Sequence, residues 1–403
     1  MRILAIETSC DETAISLLET QDGRVFDVLA HEVSSQIDVH KEWGGVVPML
    51  AKREHARNLP EILARIMNNE LGIKVDLIAV TYGPGLEPAL WEGINFAEEL
   101  ATKWGVPIVA VDHMAGHIAS AIIKPQIPKI QSSTKSKISS SNLSFELCDL
   151  EFPAIALLIS GGHTELVLLK NLNNLEIIGQ TRDDAVGEAF DKVARMMGEP
   201  YPGGPRISAL AEKFQGSNPK YQLPRPMINS KDLDFSFSGL KTAVLYLVKS
   251  RFDLSNRGSS ISQAKSGKIN ELTEEEKIEI AYEFEQAVTD VLVKKTYDAI
   301  KQYNVKSLLV GGGVIANKSI RTSLGGLASK LGINLYLPDQ KFTGDNATMI
   351  GIAALLRLGF PPSHKASGGH SAGQGYQHPE HMLHPGTKPF EELRASGNLA
   401  LYK

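Results

Sequence analysis

Residues 2–18 read RILAIETSCDETAISLL, and residues 154–169 read AIALLISGGHTELVLL. Each stretch is an apolar run, a short turn of small and polar residues, and a second apolar run, which is the pattern of a β-hairpin. A third strand candidate follows each hairpin, over 25–33 in the first case and 175–180 in the second. Helices then follow the strands. The first half predicts a helix from Pro48 to about Asn69, a strand over 76–81, a break at Gly83-Pro84-Gly85, a helix to about Lys103 and a strand over 108–111. The second half predicts helices over 187–197, 238–248 and 273–303, a strand over 307–310, a helix from 316, a strand over 334–337 and a helix over 346–356. Two hairpin-led α/β units in tandem result, with largely parallel central sheets and binding crevices at their carboxyl ends and between the halves.

Length and composition agree with this reading. At roughly 150 residues per domain, the 403-residue chain holds two or three domains. Hydrophobic residues at 42% and charged residues at 22% exclude collagen-like, coiled-coil and wholly disordered chains. A net charge of −4 means that any polyanionic partner must be met by a local basic patch. The two cysteines, Cys10 and Cys148, sit in no CxxC pair, which excludes a disulfide framework and a zinc ribbon. The opening apolar run is too short for a signal peptide, and no stretch approaches the ~18 apolar residues of a membrane span, so a cytoplasmic protein is expected. The lobes are expected over 1–123 and 151–360. Between and within them lie two flexible polar insertions, a Ser/Lys-rich one over 124–150 and another over 255–270. A Gly/Pro/His-rich tail covers 361–403 and carries His364, His370, His378, His381 and His384.

Several motifs carry chemistry. His113-Met114-Ala115-Gly116-His117 places two imidazoles four residues apart, on one face if the segment is helical and close enough to share a metal ion. The spacing equally suits two packed histidines, and it names no third ligand. Ser160-Gly161-Gly162-His163-Thr164 at a strand end is either an anion cradle of exposed backbone N–H groups or a tight hairpin turn. Gly311-Gly312-Gly313 with Asn317 has the same two readings, and Tyr201-Pro202-Gly203-Gly204-Pro205 is a third backbone-exposing loop. In the charged run from Asp183 to Arg195, Glu188 with Lys192 and Asp191 with Arg195 are i,i+4 pairs of a solvated helix face. Ser236 and Ser238 are helix-capping candidates. The P-loop, HExxH and GxGxxG signatures are missing.

Taken together, the ETSCDET turn, HMAGH, SGGHT, the run DDAVGEAFDKVARMMG ending in PYPGGP, DFSFSGLKTA and GGGVIAN closely resemble the universal tRNA threonylcarbamoyladenosine transferase family, in its bacterial TsaD type. The likeness runs from residue 1 to about 358 and is broken only by the two insertions. It implies a tandem duplicated α/β fold of the actin/Hsp70/sugar-kinase (ASKHA) type. The implied reaction moves the threonylcarbamoyl group of threonylcarbamoyl-AMP to N6 of adenosine 37 in tRNAs that read codons beginning with A, and releases AMP. His113, His117 and Asp345 are the implied ligands of one divalent metal ion per subunit, iron before zinc. Leu158, Ile159, Ser160, Gly161, Gly162, Asp191, Gly204 and Asn317 are the implied substrate pocket, and Glu12 is the candidate to take the N6 proton. Partners implied are tRNA, a paralogous subunit of the same fold and an ATPase subunit (TsaB- and TsaE-like). Two departures stand out: Gly344 precedes Asp345 where the family often has a Cys-Thr-Asp-Asn pattern, and Ser208 stands where many members carry aspartate. A metallopeptidase, once inferred for this family, is opposed by the missing HExxH. A non-catalytic scaffold of the same fold would lack the histidine pair.

Overall fold

The computed structural model describes residues 1–69, 74–126, 143–172, 174–256 and 272–359. The first half opens with an antiparallel meander of β1 (Arg2–Glu7), β2 (Glu12–Thr20) and β3 (Val25–Ser35). Helices α1 (Ile37–His40) and α2 (Pro48–Asn69) lead to β4 (Leu77–Gly83), which lies parallel to β1. Then α3 (Glu87–Trp104) leads to β5 (Ile108–Asp112), parallel to β4, and α4 (His113–Ala121) follows at once. The short strands β6 (Ile123–Pro125) and β7 (Leu143–Leu147) complete a seven-stranded sheet of order β5-β4-β1-β2-β3-β7-β6.

The second half repeats the plan. β8 (Ala154–Ile159), β9 (Thr164–Asn171) and β10 (Asn174–Gln180) form the meander, followed by α5 (Val186–Met196), α6 (Gly203–Ala211), α7 (Ser238–Asn256) and α8 (Glu274–Tyr303). β11 (Ser307–Gly311) lies parallel to β8; α9 (Lys318–Leu331), β12 (Asn334–Tyr336) and α10 (Ala347–Arg357) end the described chain. The five-stranded order β10-β9-β8-β11-β12 is, read backwards, the order β5-β4-β1-β2-β3 of the first sheet. The duplication expected from the two hairpins is therefore a duplication of topology.

Two expectations need correction. Residues 143–147, assigned to the flexible insertion, are a strand that pairs with both β3 and β6. Its alternation decides this: Phe145 and Leu147 are buried while the alternating Ser144 and Glu146 are not, and Phe145 stacks on Phe26 with ring centroids 5.9 Å apart. The PYPGGP loop, in turn, is the start of a helix, α6, that hydrophobic periodicity alone did not mark. The remaining expectations for the two insertions and the tail fall mostly at 127–142, 257–271 and 360–403, outside the described residues.

Period-two alternation sorts each sheet into two apolar faces. Leu4, Ile6, Ile78 and Val80 face α2 and α3, whereas Ile3, Ala5 and Ala79 face a shared middle layer built on α4 and α10. From the second sheet Ala154, Ala156 and Leu158 face that same layer, while Ile155, Leu157 and Ile159 face the outer helices α5 to α9. The layers thus run helices, sheet, α4 with α10, sheet, helices. The middle layer tolerates no extra atoms: a Cβ on Gly311 of β11 would stand 2.7 Å from the His117 carbonyl oxygen of α4. That oxygen is backbone and cannot swing away.

Gly311→Ala is expected to lower stability in urea by about 1–3 kcal/mol through overpacking. Gly326→Ala, at an exposed position of α9 where a Cβ meets nothing within 4 Å, should raise it by about 0.4–1 kcal/mol. Equal effects from the two would contradict the packing described.

Candidate functional site

The site begins where β5 ends. Asp112 caps α4 by accepting from the Ala115 N–H at 3.0 Å, so His113 is the first helical residue and His117 lies one turn further on. Their rings stand edge to face with centroids 4.7 Å apart. Asp345 comes from the loop before α10, and α10 can approach because Gly116 leaves α4 bare: a Cβ there would be 3.0 Å from Met349 and Ile350. Asp345 Oδ1 lies 3.5 Å from His113 Nε2 and 3.3 Å from His117 Nε2, and one donor atom from each of the three residues falls within 4.8 Å of the others.

Two features fit this trio to a cation. The donor set is two imidazoles and one carboxylate, suited to iron or zinc with positions left over. His117 is wholly buried, yet neither of its ring nitrogens makes a hydrogen bond. An orphaned buried polar atom costs about 1–3 kcal/mol, which a bound cation would remove.

Behind the trio stands Glu7, a residue no motif reading singled out. It closes β1, is wholly buried, and its Oε2 lies 3.2 Å from His113 Nδ1. It also accepts from Thr81 Oγ1 of β4 at 2.5 Å and from the Ser9 N–H at 2.6 Å. A carboxylate on the far nitrogen of a ligating histidine fixes its tautomer and sharpens its basicity. Burial opposes charge on His113, but Asp345 and Glu7 outweigh it and raise its pKa to about 9. Burial likewise pushes Glu7 and Asp345 upward, and neighbouring histidines, His113 foremost, carry both below the usual carboxylate range. His163 is held down to about 4 by burial first and then by His113 and His117.

The trio opens into a cavity of about 630 Å³ whose wall includes Glu12, His113, Asp345, Ser160, Gly161 and Gly162. A second cavity, about 330 Å³, is lined by Gly204, Asn317 and Ser208 and shares Gly161, Asp191 and Gly313 with the first. Most residues named from the sequence are therefore brought together. Leu158 and Ile159 are not: both are wholly buried, facing opposite sides of β8. His117 is buried beneath the cavity wall. Asn317 is already engaged, its Oδ1 capping α9 at Ile320 N and its Nδ2 donating to Ser208 Oγ at 2.8 Å and Glu285 Oε1 at 2.6 Å. Asp191 accepts from the Gly203 N–H at 2.6 Å, tying α5 to the start of α6 instead of pairing with Arg195. The Glu188–Lys192 pair forms at 2.7 Å. Ser236 and Ser238 donate their hydroxyls to Asp183, which also takes the N–H groups of Phe237 and Ser238 and so caps α7 itself.

The glycines separate turn from cradle. Gly187, Gly203 and Gly312 are demanded by packing, since a Cβ on each would lie within 3.0 Å of backbone. At Gly161, Gly162, Gly204 and Gly313 a Cβ would meet nothing within 4 Å, and none has positive φ. The protein's own fold does not require these four to be glycine. All but Gly162 line the smaller cavity or the wall common to both, and Gly162 lines the larger. Space kept clear beside backbone N–H groups is what an anionic ligand needs.

Comparison with known proteins is consistent across its parts. The family model described as TsaD, tRNA N6-adenosine threonylcarbamoyltransferase, matches residues 27–136 and 132–352. A tRNA N6-adenosine threonylcarbamoyltransferase of Thermosipho africanus is 42% identical over 356 residues, covering 88% of this chain and 93% of that protein. One of Chromobacterium violaceum is 40% identical over 363 residues, covering 89% and 94%. Among solved structures, T. kodakarensis HypF superposes with a TM-score of 0.52 at 14% identity, covering 89% of this chain and 48% of that one. A full-length HypF in its phosphate- and nucleotide-bound form gives 0.50 at 14% identity, covering 88% and 46%. The chain spans about half the length of those structures, and the likeness is one of fold: the duplicated actin/Hsp70/sugar-kinase type.

The carboxylates around His113 set a pH dependence. Its folded pKa lies above the ordinary 6.5, so in metal-free protein its contribution to stability is complete below about 6.5 and is lost as pH rises through about 9. In Glu7→Gln one of the two carboxylates is gone, and NMR titration of the chelator-treated protein should show the His113 pKa lowered. An unchanged value would remove Glu7 from the site.

Proposed function

The chain belongs to the tRNA N6-adenosine threonylcarbamoyltransferase family and transfers a threonylcarbamoyl group to N6 of a tRNA adenosine, and we propose how its site performs that transfer. The donor is threonylcarbamoyl-AMP, the acceptor is adenosine 37 of tRNAs reading codons that begin with A, and AMP is released. The observation that carries this reading is the joining of two cavities through open glycines, one walled by His113 and Asp345 above the buried His117 and the other lined by Gly204 and Asn317. His113, His117 and Asp345 hold one divalent metal ion per subunit, iron before zinc, which when bound supplies Lewis acidity toward phosphate or carbamoyl oxygens. The Glu7 carboxylate orients His113 for that task.

The chain's own groups do the remaining work. The AMP part of the donor lies in the smaller cavity against Gly204 and the wall that Asn317, Ser208 and Glu285 brace. The N–H groups of Gly161 and Gly162 face the negative charge that develops as the carbamoyl carbon is attacked. A bond forms between N6 and that carbon while the carbon–oxygen bond to the phosphate breaks, and AMP leaves with the electron pair. The N6 proton passes to Glu12. Burial and the neighbouring Asp11 raise its carboxyl well above the ordinary range, which makes it a better base than a solvated carboxylate. The protein acts in the cytoplasm on tRNA, together with a paralogous subunit of the same fold and an ATPase subunit. No helix among the described residues is long and apolar enough to cross a membrane.

In bacteria depleted of their own enzyme, this protein should restore the modified nucleoside, detected by mass spectrometry of digested tRNA. His113→Ala and Asp345→Ala should abolish that recovery and leave purified protein with near-zero metal, against about one ion per wild-type chain. Full recovery with either variant overturns the metal assignment. Gly161→Ala should leave the melting temperature unchanged within about 2 °C, because its Cβ meets no protein atom, yet weaken AMP binding in calorimetry at least tenfold. Unaltered AMP affinity would return that segment to a simple turn.

A further inference from the structure

Trp43 is 68% exposed, the most exposed of the large hydrophobic side chains among the described residues. It sits on the rim of the transfer cavity, because the next three residues, Gly44, Gly45 and Val46, line the cavity. Such an exposed tryptophan has two ordinary explanations, a loose loop or an unused surface, and the structure opposes both.

The loop is clamped. The Val47 N–H donates to His40 Nδ1 at 3.3 Å, and His40 Nε2 is 3.1 Å from Gln36 Oε1. The Gln36 amide in turn reaches the Thr13 and His55 side chains at 3.3–3.4 Å. His55 Nε2 then meets the Cys10 carbonyl at 3.0 Å, on the β1–β2 turn that forms another part of the same wall. Gln36, His40 and His55 are all buried. A buried chain of hydrogen bonds therefore fixes the loop that carries Trp43 relative to Asp11 and Glu12.

The second observation is Arg195. Its guanidinium lies against the loop: a Cβ on Gly44 would be 3.1 Å from its Nε and one on Gly45 3.3 Å from its Nη2, and Gly44 has φ of +66°. Of the two cations that line the larger cavity, Lys192 is held by Asp184 and Glu188 at 2.7 Å, while Arg195 is exposed and forms no ion pair among the described residues. The expected partner, Asp191, is turned away to Gly203. An exposed aromatic plane and a free guanidinium on one rigid rim are the complement of a single-stranded nucleic acid, whose unstacked bases seek π faces and whose phosphates seek cations. An apolar protein surface would leave that guanidinium unmatched.

Taking the cavity as the site of transfer, we propose that Trp43 and Arg195 form the receiving edge for the RNA substrate. Trp43 stacks on an unpaired base adjoining the target adenosine, and Arg195 meets a backbone phosphate of the same loop. Together they hold the strand so that one base can leave the stack and enter the cavity.

The test uses the full chain and a labelled anticodon stem–loop RNA, with binding read by fluorescence anisotropy. Trp43→Ala should weaken binding about 5- to 100-fold, Trp43→Phe should retain most of the affinity, and Arg195→Ala should weaken it and reduce the salt slope by about one. An abasic residue walked through the RNA loop should, at one position beside the target adenosine, make Trp43→Ala cost nothing further. AMP binding, measured in parallel, should be unchanged in all variants. If wild-type protein fails to bind AMP, the cavity assignment fails while the tryptophan–abasic coupling still judges the rim. Wild-type RNA affinity in Trp43→Ala with AMP binding intact, or losses that simply add at every abasic position, would overturn the proposal and leave the rim to a protein partner.

Discussion

A helix pressed between two sheets governs this molecule. Of the residues of α4, only Ala115 escapes full burial, because β11 covers one side, α10 another, and β5 delivers the helix directly from the first sheet. Close approach is possible only through glycine, at Gly311 against the His117 carbonyl and at Gly116 against Met349 and Ile350. Once the backbone is committed to that layer, His117 is wholly buried and His113 meets only the cavity. Polar rings in an apolar layer must find partners there, and those available are Asp345 from the α10 side and Glu7 from the end of β1. The trio is thus a consequence of packing before it is a feature of chemistry.

The glycines carry the second layer of the design, and they fall into two physical kinds. Those forced by contact, such as Gly187 against the Ser160 carbonyl, set how closely α5 can lie against the β8–β9 turn. Those forced by nothing within the protein, at 161, 162, 204 and 313, leave open space beside the backbone. The first kind makes the second effective, since an open glycine is useful only where neighbouring backbone is held still. Asp191 shows the link: its carboxylate takes the Gly203 N–H and so fixes the start of α6, whose next residue, Gly204, lines the smaller cavity.

How much of this could be read from the sequence follows the range of the interactions. The two hairpins were legible because two apolar runs about a polar turn are a local pattern, and the tandem repeat was legible because that pattern occurs twice. The histidine pair was legible because i,i+4 geometry is a property of one helix. β7 was hidden by its serine- and lysine-rich surroundings, although Phe145 and Leu147 carry the alternation themselves. Glu7 was illegible, since its meaning depends on Thr81, 74 positions away, and His113, 106 away. Asp345 was reached only through family resemblance, as spacing cannot connect it to α4 across more than 200 residues of chain. Local rules also misled: i,i+4 spacing suggested Asp191 with Arg195, but a backbone N–H from another helix competes better for a half-buried carboxylate than an exposed guanidinium does.

The charge distribution gives the site its character. The larger cavity presents Asp11, Glu12, Glu188 and Asp345, an acidic wall in an enzyme that acts on tRNA. A chain of net charge −4 does not offset this globally, so attraction has to be local and directional. Around the open glycines the groups available for it are backbone N–H dipoles, which attract an anion without a full positive charge. Burial and the same acidic crowding lift the Glu12 carboxyl well above the ordinary range, so the charge of this wall depends on its own crowding.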